Sequence, residues 1–156
     1  MNLGNDSYNK CNAAYAKGGP EMAINMLNMN LDLNITDFVT VGFAGLTDTI
    51  DALGGVYIDV DNAEISHLNN YQLCIAEDLK RSYRPVESTG YQLLDGLQAT
   101  GYCRIRYTAG DDFKRAERQR EVLSAVADQA KKASLPQLTE TANAVFDEVY
   151  TSLDLT

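Results

Sequence analysis

The residues best suited to chemistry lie in one stretch, 102–120, which reads YCRIRYTAGDDFKRAERQR. Arg104, Arg106, Lys114, Arg115, Arg118 and Arg120 stand there against Asp111, Asp112 and Glu117, a local charge of +3 inside a chain of net charge −9. Guanidinium groups present planar forks that match phosphate oxygens two at a time. Arg115, Arg118 and Gln119 fall at helical spacings that share one face. They also fall in the first turns of an expected helix, where the dipole already favours an anion. Cations at that end work against the dipole unless an anion lies between them. Two readings follow from the residues alone. One is a pyrophosphate or polyphosphate cradle built from Arg104, Arg106, Arg115, Arg118 and Gln119. The other is a solvated basic face paired with Asp111, Asp112 and Glu117. Charge arithmetic leaves both open.

The elements that must position these side chains can be read from periodicity. Gly18-Gly19-Pro20 breaks the chain, and Met22, Ala23, Met26 and Leu27 then recur at helical spacing, which predicts a helix over about 20–29. Ile35 to Phe43 is β-branched and aromatic and reads as a strand. Ala44 to Leu53 reads as a short helix closed by Gly54-Gly55, and Val56 to Val60 alternates as a second strand. Strand, helix and strand in succession suggest a βαβ unit. Residues 61–90 read as a long polar excursion with one short helix. Asp95 is a plausible N-cap for a helix ending near Tyr102. Arg104 and Arg106 share a side only if the chain is extended there. A loop over 108–111 leads into a long helix from Phe113, with Val122, Leu123, Val126 and Ala130 as its buried stripe. Pro136 opens a last helix that carries its apolar spacing through Val149. Gly101 inside the shorter helix is expected to loosen it.

With 156 residues, 45% hydrophobic and 22% charged, the chain suits one globular domain spanning 1–156 and does not suit a disordered tail. Its acidic balance argues against non-specific nucleic-acid binding, which needs a basic footprint. Cys11, Cys74 and Cys103 are far apart and His67 is the only histidine, so the sequence offers no metal-ligand set. No apolar run approaches the roughly 18 residues that a membrane helix needs.

Four segments, in order, carry a resemblance. Residues 10–16 read KCNAAYA and precede Gly18-Gly19; 46–56 read LTDTIDALGGV; 93–107 read LLDGLQATGYCRIRY; 111–119 read DDFKRAERQ. Together they resemble the LytR-CpsA-Psr (LCP) family of cell-wall glycopolymer ligases over about residues 8 to 133. The resemblance implies an α/β domain with a mixed, twisted sheet and helices on both faces. It implies a phosphotransferase, mostly of Gram-positive bacteria, that moves a glycopolymer from a polyprenyl pyrophosphate carrier onto peptidoglycan. By motif position, Lys10, Arg104, Arg106, Arg115, Arg118 and Gln119 would bind the head group. Arg106, Asp112 and Arg115 would act at the reacting phosphate, Asp112 by orienting an arginine or assisting proton transfer. Mg²⁺ would assist.

The family places further strands, magnesium-binding aspartates and arginines before the first of these segments, where this chain has nine residues. The expectation is therefore an N-terminally incomplete domain without the metal ligands. It would work at the extracellular face of the membrane through an anchor outside this chain, or be an inactive fragment. A homodimer through an exposed sheet edge would be one way to complete the sheet. The rival function is a non-catalytic binder of polyprenyl phosphates or anionic polymers. The apolar lipid would suit Phe38, Val41, Phe43 and the long helix, although plain core packing is the stronger reading of those residues.

Overall fold

The computed structural model describes residues 1–3, 7–106, 111–146 and 148–153; the side chains of Asp111 and Asp112 fall outside that description. The chain forms two compact units, Met1–Thr40 with Val149–Thr156, and Val41–Glu148.

In the first unit, α1 (Asn12–Leu31) is interrupted at Gly18 and Gly19, and Gly19 takes a φ of 65°. Pro20 follows the break, where its missing N–H costs nothing. Leu3, Ala14 and Met26 bury together, with Met22, Ala23 and Leu27 packed around them. The helix therefore starts before the break, earlier than its Met and Leu spacing suggests. The strand β1 (Val39–Val41) is much shorter than the run of β-branched residues. It pairs with β4 (Val149–Thr151), the segment expected to continue the last helix. Ser152 Oγ accepts from Phe38 N at 3.0 Å, and Thr151 Oγ1 donates to Phe38 O at 2.7 Å.

The second unit carries the basic stretch. The helix α2 (Phe43–Ala52) ends in Gly54 and Gly55, both at positive φ, with Gly55 N donating to Ile50 O at 2.9 Å. That turn delivers β2 (Val56–Val60), whose Val56, Ile58 and Val60 point into the core. The chain then forms α3 (Asn62–Leu79), an 18-residue helix where the sequence suggested an excursion. Its start is a reciprocal capping box between Asp61 and Glu64. β3 (Gly90–Leu94) returns antiparallel to β2, with Val56 opposite Leu94 and Val60 opposite Gly90. α4 (Gly96–Arg104) is capped by Asp95, whose Oδ1 accepts from Gln98 N at 2.9 Å. α5 (Asp111–Lys132) and α6 (Leu135–Phe146) complete the unit.

The α/β class holds, with helices and small sheets alternating along the chain. Among the described residues the sheets are two-stranded, β1 with β4 and β2 with β3. The βαβ reading is thereby corrected: β1 and β2 flank α2 in sequence but pair with different partners. A Gly-Gly turn at positive φ reverses the chain tightly and leaves β2 free to take an antiparallel neighbour.

The core of this unit gathers Ile50, Ile58, Leu68, Leu94, Ile105 and Val122. Gly101 does not loosen α4. A Cβ there would stand 3.0 Å from Gln72 N and Leu68 O, so the missing side chain lets α4 and α3 approach closely. Leu123 is exposed, and the stripe of α5 runs instead through Val122, Ala125 and Val126.

Candidate functional site

α4 ends at Arg104, and Ile105 turns extended with φ −58° and ψ 125°. Ile105 is fully buried, so Arg104 and Arg106 on either side of it face the same way. α5 begins a few residues later and brings Arg115 and Gln119 to the same place. A cavity of about 340 Å³ is lined by Arg104, Arg106, Arg115 and Gln119, with Phe43, Tyr71 and Cys103 as its less polar wall. Each of these residues belongs to the Val41–Glu148 unit.

Arg104 is held between two rings. Its guanidinium carbon lies 4.7 Å from the centroid of Phe43 and 5.4 Å from that of Tyr71. Cation–π attraction of this kind is worth about 0.5–2 kcal/mol and steers a flexible side chain. Arg104 is also in the last helical turn, where the dipole favours a cation. Burial pushes the Cys103 thiol up to about 12, with Glu121 adding to the rise, so it lines the cavity as a neutral group at pH 7.

Arg118 does something else. Its Nε donates to Glu64 Oε1 at 2.7 Å, its Nη1 donates to Ile105 O at 3.3 Å, and the residue is 4% exposed. Helix geometry explains the difference. At about 100° per residue, Arg118 lies about 60° from Arg115 and about 100° from Gln119 around the helix, on the Ala125 side of Val122, whereas those two lie toward its Val126 side. The grouping of Arg118 with Arg115 and Gln119 is therefore corrected in part: adjacent on the helix, they point to different surroundings.

Of the remaining sequence candidates, Lys10 is exposed and belongs to the Met1–Thr40 unit. Asp112 is in α5, and its side chain lies outside the described residues. On the basic face Lys114 meets Glu117 at 3.1 Å on the surface. In the 80–84 stretch, Arg81 pairs with Asp48 through two contacts and Arg84 lies 3.8 Å from Asp95. Val41 and Phe43 are exposed, so they are not core residues. Sequence reasoning missed Tyr71 and the cavity role of Phe43, since neither belongs to a local pattern with the arginines. It also missed Glu64, although D-N-A-E at 61–64 is a capping-box spacing.

Among the described residues no group of three His, Cys, Asp or Glu side chains could hold a metal ion. The cavity's described lining is cationic, aromatic and amide. With that lining a divalent cation there would draw its oxygen ligands from a bound phosphate and water. The residues described do not fit a resident magnesium ion. No helix among them is long and apolar enough to cross a membrane.

The LytR_cpsA_psr family model matches residues 2–156. The chain belongs to the LytR_cpsA_psr family. It is 30% identical over 152 residues to the polyisoprenyl-teichoic acid–peptidoglycan teichoic acid transferase TagV of Bacillus subtilis, covering 96% of this chain and 37% of the relative. It is 33% identical over 155 residues to the corresponding TagU enzyme of Halalkalibacterium halodurans, covering 98% of this chain and 46% of the relative. A solved structure of TagT bound to LI-WTA superposes with a TM-score of 0.71 at 27% identity, covering 99% of this chain and 54% of that one. The chain thus spans between about a third and a half of the length of these curated relatives.

Proposed function

We propose that this LytR_cpsA_psr chain binds the diphosphate of a polyprenyl-linked glycopolymer and takes part in transferring that polymer to peptidoglycan. The observation that carries the reading is the convergence of Arg104, Arg106, Arg115 and Gln119 on one cavity. The names of its relatives, which include teichoic acid transferases, and the TagT structure with LI-WTA support the substrate class.

In this reading Arg106 and Arg115 neutralise the diphosphate oxygens, and Arg104 approaches already oriented by its two rings. A peptidoglycan hydroxyl oxygen bonds to the phosphorus that bears the polymer. The bond from that phosphorus to the bridging oxygen breaks, and polyprenyl monophosphate leaves with the electron pair. The new linkage is a phosphodiester, and the hydroxyl proton is lost. Negative charge grows on the departing phosphate, which is where preorganised guanidinium donors lower a barrier most. Asp112 is the proposed proton acceptor or arginine-orienting group, and Lys10 a further head-group ligand. Magnesium is the proposed helper. The extracellular face of the membrane is the proposed place of action, because both substrates lie there.

The test is calorimetric titration of the whole chain with inorganic pyrophosphate. R106A and R115A should each weaken binding by about tenfold to a hundredfold, the equivalent of losing one charged hydrogen bond of about 1.5–3 kcal/mol. Unchanged affinity in both variants rejects the cavity. Incubation with a polyprenyl pyrophosphate-linked saccharide, a peptidoglycan acceptor and Mg²⁺ then separates transfer from the rival function. Binding without release of polyprenyl phosphate favours a non-catalytic binder.

A further inference from the structure

Arg118 is the most buried cation of the basic stretch, with a side chain 5% exposed beside a Glu64 side chain 10% exposed. One guanidinium there joins three helices. Glu64, at the start of α3, accepts from Asp61 N with Oε2 at 3.0 Å while Oε1 takes the arginine. Ile105, just past the end of α4, offers its carbonyl to Nη1. Tyr102 lies with its ring 5.8 Å from the guanidinium carbon and donates its hydroxyl to Glu121 of α5 at 3.0 Å. Arg118 itself belongs to α5.

The Ile105 carbonyl matters because of its neighbours in sequence. It lies on the planar peptide that leads into Arg106, and its own residue follows Arg104. Shifting that peptide carries the Cα of Arg106 with it, since the plane has no internal freedom, and Arg104 is joined to it through the backbone of the fully buried Ile105. The carbonyl at a helix end also lacks an intrahelical donor, so an external one has leverage over its direction. A buried ion pair is weak evidence of stabilisation, because well-packed apolar groups often do as well. A planar fork that must reach a carboxylate and a carbonyl at once is a geometric demand, and a lysine ammonium on a flexible stem meets it poorly.

We propose that Arg118 is a positioning residue: through Glu64 and the Ile105 carbonyl it sets where Arg104 and Arg106 stand relative to Arg115 and Gln119. It does not itself line the cavity. The affinity readout below rests on the diphosphate reading given above; the spectroscopic readout does not.

The experiment uses the full chain and the variants R118K and E64Q. Arg104 lies over the faces of Phe43 and Tyr71, so its side-chain N–H resonance should be displaced by their ring currents. R104K identifies that resonance by its loss. In R118K the far-ultraviolet circular dichroism should match wild type, the displaced Arg104 resonance should move toward the free-arginine position, and inorganic pyrophosphate should bind about tenfold more weakly. E64Q keeps an acceptor for Arg118 and should shift the same resonance in the same direction by less. It also serves if R118K fails to fold. A folded R118K, or failing that a folded E64Q, with the Arg104 resonance in place overturns the proposal. Unchanged pyrophosphate affinity in a folded variant, where wild type binds, overturns it as well. If wild type binds no pyrophosphate, the diphosphate reading fails and the Arg104 resonance alone decides the positioning role.

Discussion

Asp51 serves the backbone rather than a ligand. Its Oδ1 accepts from Gly96 N at 2.7 Å, which ties the end of α2 to the start of α4. Partial withdrawal from water raises its pKa above the ordinary aspartate value of 3.8. The Gly96 N–H opposes that rise, Asp95 adds to it and Arg81 opposes it again. A carboxyl whose folded pKa is raised holds its proton more tightly in the fold than in the unfolded chain. Its contribution to stability is therefore complete below 3.8 and is lost as pH climbs through the raised folded value. Asparagine at this position can offer its carbonyl oxygen to Gly96 without ever ionising. D51N should gain stability relative to wild type as pH rises through that window, and the difference should level off above it. D51A leaves the Gly96 N–H without its acceptor and should cost about 1 kcal/mol. Urea denaturation of the three proteins across acidic to neutral pH reads both effects. A wild-type to D51N difference that stays flat over the window would reject the shift.

The helices of the site unit pack where side chains are missing, and the two glycines of α4 differ in how strictly. At Gly96 a Cβ would fall 2.1 Å from Thr47 O, a backbone atom of α2 that cannot rotate aside. At Gly101 the nearest atoms would be 3.0 Å away. Alanine gains about 1 kcal/mol of helix propensity over glycine. That gain should largely offset the tight contact in G101A, whereas G96A must separate α4 from α2 and should lose about 3 kcal/mol. Thermal unfolding of both variants checks the order, and a G96A as stable as G101A would contradict the close crossing. Much at this scale was legible beforehand. Asp95 announced α4, Gly54-Gly55 announced the end of α2, and the two-residue spacing of Arg104 and Arg106 announced that an extended chain would put them on one side. What was not legible has physical causes. Gln72 is buried in the middle of α3, with Nε2 donating to Arg84 O at 2.7 Å, so a polar residue interrupts the apolar pattern that would reveal the helix. The run of β-branched residues before Val41 extends beyond the strand because partners in space, not propensity, decide how far pairing goes. Arg118 was misgrouped because two helical faces only about 60° apart cannot be told from spacing alone.

The whole molecule is anionic, with net charge −9 and an isoelectric point near 4.5, yet the ligand proposed for it is a polyanion. The two facts are compatible because they act over different distances. At about 0.1 M salt the field of an exposed charge is screened beyond about 10 Å. Far from the protein a diphosphate meets weak net repulsion, and only near the cavity do Arg104, Arg106 and Arg115 dominate. Raising the salt weakens both contributions, and they have opposite sign. Affinity for inorganic pyrophosphate should accordingly vary little with salt, by less than about threefold between about 50 and about 200 mM NaCl. Beneath that near-constant value the rates should change together: association helped by loss of the distant repulsion, dissociation hastened by loss of the close attraction. Stopped-flow measurements at several salt concentrations would resolve the two. If binding weakened tenfold or more over that range, cations outside the cavity would have to share in holding the ligand. Lys10 or the 80–84 stretch would then be the first place to substitute.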